Sequence, residues 1–266
     1  MNRIIIMKYT ITFILFIFCR LHLIQAQDLE QYEYKKFVQS GDTLPYRVLL
    51  PASYDSSKAY PLLIFLHGRG ESGTDNKKQL THGARMFLAD SIRQQYPAIV
   101  VFPQCAATDY WSNVQTVADK DGKRTFYFVA DGEPSRSMRL LLSLTDNLFR
   151  QYKIRRQQVY VMGLSMGGMG TFELARRRPE LFAGAIAICG GADPATAASI
   201  RKPGWWIFHG AKDDVVLPSF SRQMVAALKK TGARVRYTEY PEANHNSWDS
   251  AFKEPGLLKW LFSQHK

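Results

Sequence analysis

The chain has 266 residues, 46% of them hydrophobic and 13% aromatic, enough to bury one substantial core, and no composition shift or linker marks a second. Its formal charge is +12, but the basic residues fall in short clusters such as Lys77-Lys78, Arg155-Arg156, Arg176-Arg177-Arg178 and Lys229-Lys230, with no nucleic-acid-binding motif among them. The composition therefore excludes a disordered or low-complexity chain, and the charge pattern gives no reason to infer nucleic acid as a partner.

At the start, Arg3 and Lys8 precede an apolar run from Ile11 to Cys19, followed by a polar break at Arg20 and His22 and then Ile24-Gln25-Ala26. This order of charged, apolar and small residues predicts a signal peptide over residues 1–26, cleaved after Ala26. The run is shorter than the roughly 20 apolar residues a membrane span needs, so no stable membrane insertion is expected after cleavage. The expected location is periplasmic or secreted. Removing Arg3, Lys8 and Arg20 takes three positive charges and no negative one, so +12 becomes +9. Residues 27–266 are read as a single catalytic domain. Its two cysteines, Cys105 and Cys189, lack metal-ligand spacing and are expected as free core thiols.

Tyr32–Gln39 and Pro45–Leu50 flank Ser40-Gly41-Asp42 as an opening hairpin. Pro61–Leu66 and Ala98–Phe102 are continuous apolar runs typical of strands buried on both faces. Between them Leu80, Ala84, Phe87, Leu88 and Ile92 predict one helix. A small hairpin is expected within residues 112–130, around Asp119-Lys120-Asp121-Gly122-Lys123. Met138, Leu141, Leu142, Leu144, Leu148 and Tyr152 mark the next helix, after Pro134. Further strands are read at Phe182–Cys189, Trp205–Phe208 and Val235–Tyr240, helical segments near residues 194–201 and 218–231, and a closing helix at Trp248–Phe262. Strands alternating with helices predict an α/β fold with a mostly parallel central sheet covered on both faces, and ligands bound at the strand carboxyl ends.

The stretch Val159–Gly170 carries the most chemistry. A β-branched and aromatic run drops into Gly163-Leu164-Ser165-Met166-Gly167 and then into helix-forming sequence. A serine on so sharp a strand-to-helix turn needs neighbours without side chains two positions to either side. The turn exposes Ser165 Oγ and puts the Met166 N–H at a helix N-terminus, where amide dipoles favour developing negative charge. A serine hydroxyl needs a base and an orienting carboxylate. His245 follows the last strand, whereas His67 and His209 end strands in His-Gly pairs, His82 sits in a helical pattern and His265 is terminal. The acid is expected at Asp213, fourth after His209, with Asp214 the alternative as a turn or cap residue. The second oxyanion amide is expected in His67-Gly68-Arg69-Gly70, at Arg69 with Gly70 as alternate.

Together, His67-Gly68, Gly163-x-Ser165-x-Gly167, His209-Gly210-x-x-Asp213 and His245 resemble the α/β-hydrolase superfamily. The segments GESGTDN with QLTHGA, PQCAATDYW at residues 103–111 and AICGGAD at 187–193 are similar to its secreted phospholipase/carboxylesterase branch, often labelled predicted peptidase, near the feruloyl and acetylxylan esterases. The likeness covers about residues 30–264. It implies Ser165, Asp213 and His245 as catalytic residues, Arg69 and Met166 as oxyanion amides, and Gln104 and Trp111 as pocket lining. It also implies a carboxylesterase working through an acyl-enzyme, with no metal or organic cofactor. The expected substrate is an acetyl or feruloyl ester, small or linked to plant polysaccharide. A departure is Asp214, where acyl-protein-thioesterase relatives usually carry Pro directly after the acid; this leaves the acid open. A prolyl-oligopeptidase-like serine peptidase and a non-catalytic binding protein on a hydrolase scaffold are the competing readings.

Overall fold

The continuous apolar runs become strands whose alternate side chains enter two different cores. In the third strand, Leu62, Ile64 and Leu66 pack on one face of the sheet and Leu63 and Phe65 on the other, as a period of two requires. The computed structural model describes residues 29–118, 120–122 and 124–266, so the expected leader and its cut at Ala26 lie outside the described residues.

Among the described residues ten strands are formed: β1 (Glu33–Gln39), β2 (Asp42–Leu49), β3 (Tyr60–Leu66), β4 (Ile99–Pro103), β5 (Val114–Ala118), β6 (Arg124–Phe128), β7 (Ile154–Leu164), β8 (Gly184–Ile188), β9 (Gly204–Gly210) and β10 (Val235–Tyr240). Eight make one sheet in the order β1-β2-β4-β3-β7-β8-β9-β10, antiparallel from β1 to β4 and parallel thereafter. β5 and β6 pair as a separate antiparallel ribbon, the hairpin expected within residues 112–130.

Helices cover both faces. On one lie α1 (Ala84–Leu88), α2 (Asp90–Gln95), α6 (Trp248–Ala251) and α7 (Leu257–Phe262); on the other lie α3 (Arg136–Gln151), α4 (Met166–Arg177) and α5 (Pro218–Lys230). Each buried Leu, Ile, Val or Phe contributes about 1.5–3 kcal/mol through loss of apolar surface to water. Ser135 caps α3, its Oγ accepting from the Met138 N–H at 3.1 Å.

Two expected helices are each split. The helix read across residues 80–92 breaks at Ala89, whose backbone is extended (φ −60°, ψ 126°), and Leu80 sits in a separate 3₁₀ turn. The closing helix breaks after Ala251, because Pro255 lacks the N–H that a helix interior needs and Gly256 takes φ +78°. The segment at 194–201 is a 3₁₀ helix, Pro194–Ile200.

From β3 the chain moves outward to β4 and then crosses to β7 on the other side. The strand order thus reverses at β3, and the carboxyl ends of β3 and β7 flank a crevice of the kind where open α/β sheets bind ligands.

Candidate active site

Ser165 sits between β7 and α4 at φ 52° and ψ −118°, a conformation that costs a non-glycine residue on the order of 1–3 kcal/mol and is held by what surrounds it. Its N–H donates to Ile188 O at 2.8 Å, tying the turn to β8. A Cβ at Gly163 would lie 2.2 Å from Gly167 O, and one at Gly167 would lie 1.9 Å from Leu66 O. The spacing of glycines around Ser165 is therefore a demand of backbone contact.

The turn brings Ser165 Oγ to 2.9 Å from His245 Nε2, and His245 Nδ1 to 2.8 Å from Asp213 Oδ2. The other Asp213 oxygen accepts from the Val215 and Val216 N–H groups at 3.0 and 2.9 Å. His209 Nε2 contacts Asp213 Oδ2 at 3.1 Å and Val216 O at 2.8 Å, bracing the acid from below. Burial alone would raise the Asp213 carboxyl; the bonds from His209 and His245 outweigh it and hold the carboxyl well below the usual carboxylate range. Asp214 is exposed and bonds to neither histidine.

Gly68, Arg69, Ser165 and Met166 line one cavity of about 300 Å³. Met166 opens α4, and the N–H groups of a helix's first turn have no intrahelical partner. His67, fully buried, fixes the facing turn. Its Nε2 accepts from the Cys105 N–H at 2.9 Å, so Nδ1 carries the proton and donates to Gly68 O at 2.6 Å. The Gly68 carbonyl is thereby turned toward His67, and the Arg69 N–H of the same planar trans peptide points the opposite way. The Arg69 guanidinium donates to Asp109 O at 2.6 Å and to Ala107 O, and lies over the Tyr110 ring at 4.6 Å, tying the turn to the loop after β4.

The remaining lining comes from both faces of the sheet. Phe126, Met169, Val215 and Val216 form an apolar wall, and Glu71, His82 and Trp248 stand with Tyr110 elsewhere around the opening. Gln104 and Trp111 do not line it, which corrects the expectation for both. Trp111 is fully buried, its ring 5.4 Å from that of His67, and it packs so closely that a Cβ on Gly170 would meet Trp111 Cβ at 2.4 Å. Gln104 is also fully buried: its Oε1 accepts from Asn76 N at 2.7 Å, and its Nε2 donates to Glu71 O at 3.1 Å and Asp75 Oδ1 at 2.9 Å. It braces the segment after the Arg69 turn. The lining residues that sequence reasoning missed were partly signalled. Glu71 and His82 fall in the GESGTDN and QLTHGA segments, and Trp248 follows His245 by three positions.

Cys105 and Cys189 are free and buried. Burial pushes the Cys105 thiol up to about 12 and the Cys189 thiol higher still, so neither is a thiolate nucleophile at neutral pH. Cys189, Asp213 and His245 place potential ligand atoms within 4.8 Å of one another, but there Asp213 and His245 already bond to each other. Among the described residues no helix is long and apolar enough to cross a membrane.

Comparison with known proteins finds similarity to esterases. Over 235 residues the chain is 26% identical to Lysophospholipase-like protein 1 of Mus musculus, covering 85% of this chain and 95% of that protein. A crystal structure of a thermostable esterase superposes with a TM-score of 0.80 at 31% identity, covering 90% of this chain; the chain spans 64% of that one. A ferulic acid esterase from Anaeromyces mucronatus, solved with ferulic acid, shares the fold at a TM-score of 0.63 and 17% identity, covering 88% of this chain and 90% of that one. The model of the Esterase family, described as "Putative esterase", matches residues 39–236, and the chain belongs to that family, with the α/β-hydrolase fold.

Proposed function

We propose that this esterase is a serine carboxylesterase that works through an acyl-enzyme. The observation that carries the reading is the continuous hydrogen-bonded line from Ser165 Oγ to His245 to Asp213, at 2.9 and 2.8 Å. In this mechanism His245 Nε2 takes the Ser165 proton as Oγ attacks the ester carbonyl. The Arg69 and Met166 amides hold the oxyanion of the tetrahedral intermediate. His245 then returns the proton to the leaving alcohol, and the C–O bond breaks. Water, deprotonated by His245, hydrolyses the acyl-Ser165 in the mirror sequence. Asp213 keeps the His245 proton on Nδ1, leaving Nε2 free to accept.

The proposed substrates are acetyl or feruloyl esters on plant polysaccharide, met by an exported enzyme. A cavity of about 300 Å³ with Phe126, Met169, Val215 and Val216 on one side suits an acetyl or a small flat aromatic acyl group. Export rests on the order of charged, apolar and small residues before Gln27. N-terminal sequencing of protein from its native host is expected to return Gln27 or a close neighbour.

The mechanistic test is Ser165→Ala with a fluorophosphonate probe. The variant is expected to keep its fold and lose about 10³-fold or more in kcat, and the probe to label Ser165 in the wild type alone. Wild-type activity in the variant refutes the reading. Assays on p-nitrophenyl acetate, methyl ferulate, acetylated xylan and a prolyl-peptide amide set the substrate class.

A further inference from the structure

We propose that Glu71, His82 and Trp248 form a subsite for the leaving alcohol of the ester and that this subsite takes a hydroxyl-bearing sugar ring. The inference rests on the roles proposed for Ser165 and His245 and adds to them which side of the cavity receives which half of the substrate.

The direction follows from His245. Its protonated Nε2 must reach the leaving oxygen, so the alcohol lies beside this imidazole. The His245 ring meets the edge of the Trp248 ring at 5.4 Å between centroids, and the Trp248 ring lies 5.3 Å from that of His82. His82 Nε2 is in turn 3.6 Å from Glu71 Oε1. These side chains form one row of contacts that leads from His245 round to the oxyanion turn, where Glu71 Oε2 lies 3.0 Å from the position a Cβ on Gly68 would take. The apolar wall belongs to a different cluster, in which Phe126 of β6, Met169 of α4 and Val216 pack together. The acyl group is left to that wall.

The chemistry of the row selects the ligand. The Glu71 side chain is only 13% exposed, and among the described residues its carboxylate pairs with His82, beyond hydrogen-bond distance. A carboxylate offers about four lone-pair positions, and at 13% exposure water reaches only part of them, so hydroxyl donors on a ligand would complete the set. Trp248 is half-buried and lines the cavity, so it offers apolar surface against which the C–H face of a sugar ring can pack. Carboxylate, imidazole and indole in succession match a ring with hydroxyls at its rim. An alkyl alcohol would cover Glu71 without donating to it, and a site of that kind discriminates against the analogue lacking the hydroxyl.

The test holds the acyl group constant and varies the alcohol. Methyl ferulate is compared with the feruloyl ester of methyl β-xyloside, and methyl acetate with the acetyl ester of the same glycoside. A choline ester in each series tests a cationic alcohol. In a series that the enzyme cleaves, the wild type is expected to prefer the glycoside over the methyl ester by about tenfold in kcat/KM. Glu71→Gln is expected to lower that ratio severalfold, and Trp248→Leu to lower it as well, with circular dichroism and thermal melting confirming the fold. Equal rates on glycoside and methyl ester in the wild type, an unchanged ratio in Glu71→Gln, or a preference for the choline ester overturns the subsite while leaving the serine mechanism standing. Failure to cleave any ester in either series removes the subsite together with the acetyl and feruloyl substrates, and absence of the fluorophosphonate label on Ser165 as well removes the serine mechanism.

Discussion

The floor of the cavity and the hairpin that overhangs it are built in opposite ways. The floor is backbone against backbone: Gly163, Gly167 and Gly168 leave no room for a Cβ, and Ser165 is held at positive φ by its bond to β8. The β5–β6 hairpin touches the body through a few side chains, Phe126 and Phe128 against Met169, Val216 and Phe220, while Val117 and Tyr127 face solvent. Geometry around Ser165 is thus fixed by contacts that permit almost no substitution, and the apolar wall of the cavity hangs on replaceable apolar contacts. Chemistry and specificity can change separately in such a molecule.

Glycine replacement tests this contrast most severely. Gly167→Ala would place a Cβ 1.9 Å from Leu66 O and 2.7 Å from His67 O, both backbone atoms. The turn cannot form around it, and a loss beyond about 4 kcal/mol, or no soluble enzyme, is expected. Gly122→Ala in the hairpin loop meets nothing within 4 Å and strains only its φ of +78°, so about 1 kcal/mol is expected. Urea denaturation of both variants makes the comparison, and similar costs would show that the floor is more yielding than its contacts indicate.

The next effect separates the adjacent acids at the edge of the floor. Asp213→Asn is expected to lower kcat by about 10³- to 10⁴-fold, because an amide can present its N–H to His245 Nδ1 and favour the wrong tautomer. Asp214 is exposed, and Asp214→Asn is expected to stay within about threefold of wild type. Turnover at saturating p-nitrophenyl acetate, with a thermal melt for each variant, ranks the two. The reverse order would move the orienting role to Asp214.

What the sequence discloses follows the same division. The elbow around Ser165 is legible because its requirement is local: glycines two positions either side of a serine after a buried strand. Five strands of the parallel sheet, β3, β4, β8, β9 and β10, are legible as apolar runs or strong strand formers. Trp111 and Gln104 are less so, since nothing in a linear segment tells whether a large side chain after a strand faces a cavity or fills the space under a glycine such as Gly170. Phe126, Glu71 and Trp248 come together from three separate loops and elements, and only the tertiary fold sets their distance to Ser165. The breaks at Ala89 and Gly256 show the same limit at another scale. Apolar spacing continues across both, and a Pro-Gly pair announces only the second.

A smaller effect is expected from His67, which belongs to the floor but acts on stability through pH. Burial lowers its imidazole from the ordinary 6.5 to about 4. The folded protein therefore holds His67 neutral where the unfolded chain would protonate it. Its contribution is present in full above about pH 6.5 and is lost as pH falls toward 4. Between pH 7.5 and 5 this amounts to about 2 kcal/mol. His67→Asn should flatten that part of the pH dependence in denaturant titrations. An unchanged slope would mean that the buried imidazole does not set it.

The smallest expected change is the one on the hairpin. Phe126 is 9% exposed, lines the cavity and packs with Met169 and Val216, so its ring is the aromatic surface on the apolar wall. Stacking with a feruloyl ring would contribute about 0.5–1.5 kcal/mol beyond area burial, a severalfold effect on kcat/KM. Phe126→Ala is therefore expected to lower kcat/KM for methyl ferulate several times more than for p-nitrophenyl acetate. Trp111→Ala supplies the contrast. Trp111 is fully buried against the floor, so its removal should cost about 3–5 kcal/mol of stability and reduce activity on both substrates alike. A selective loss on ferulate in Trp111→Ala, or equal losses on both esters in Phe126→Ala, would place acyl selection in the floor and undo the separation between the two regions.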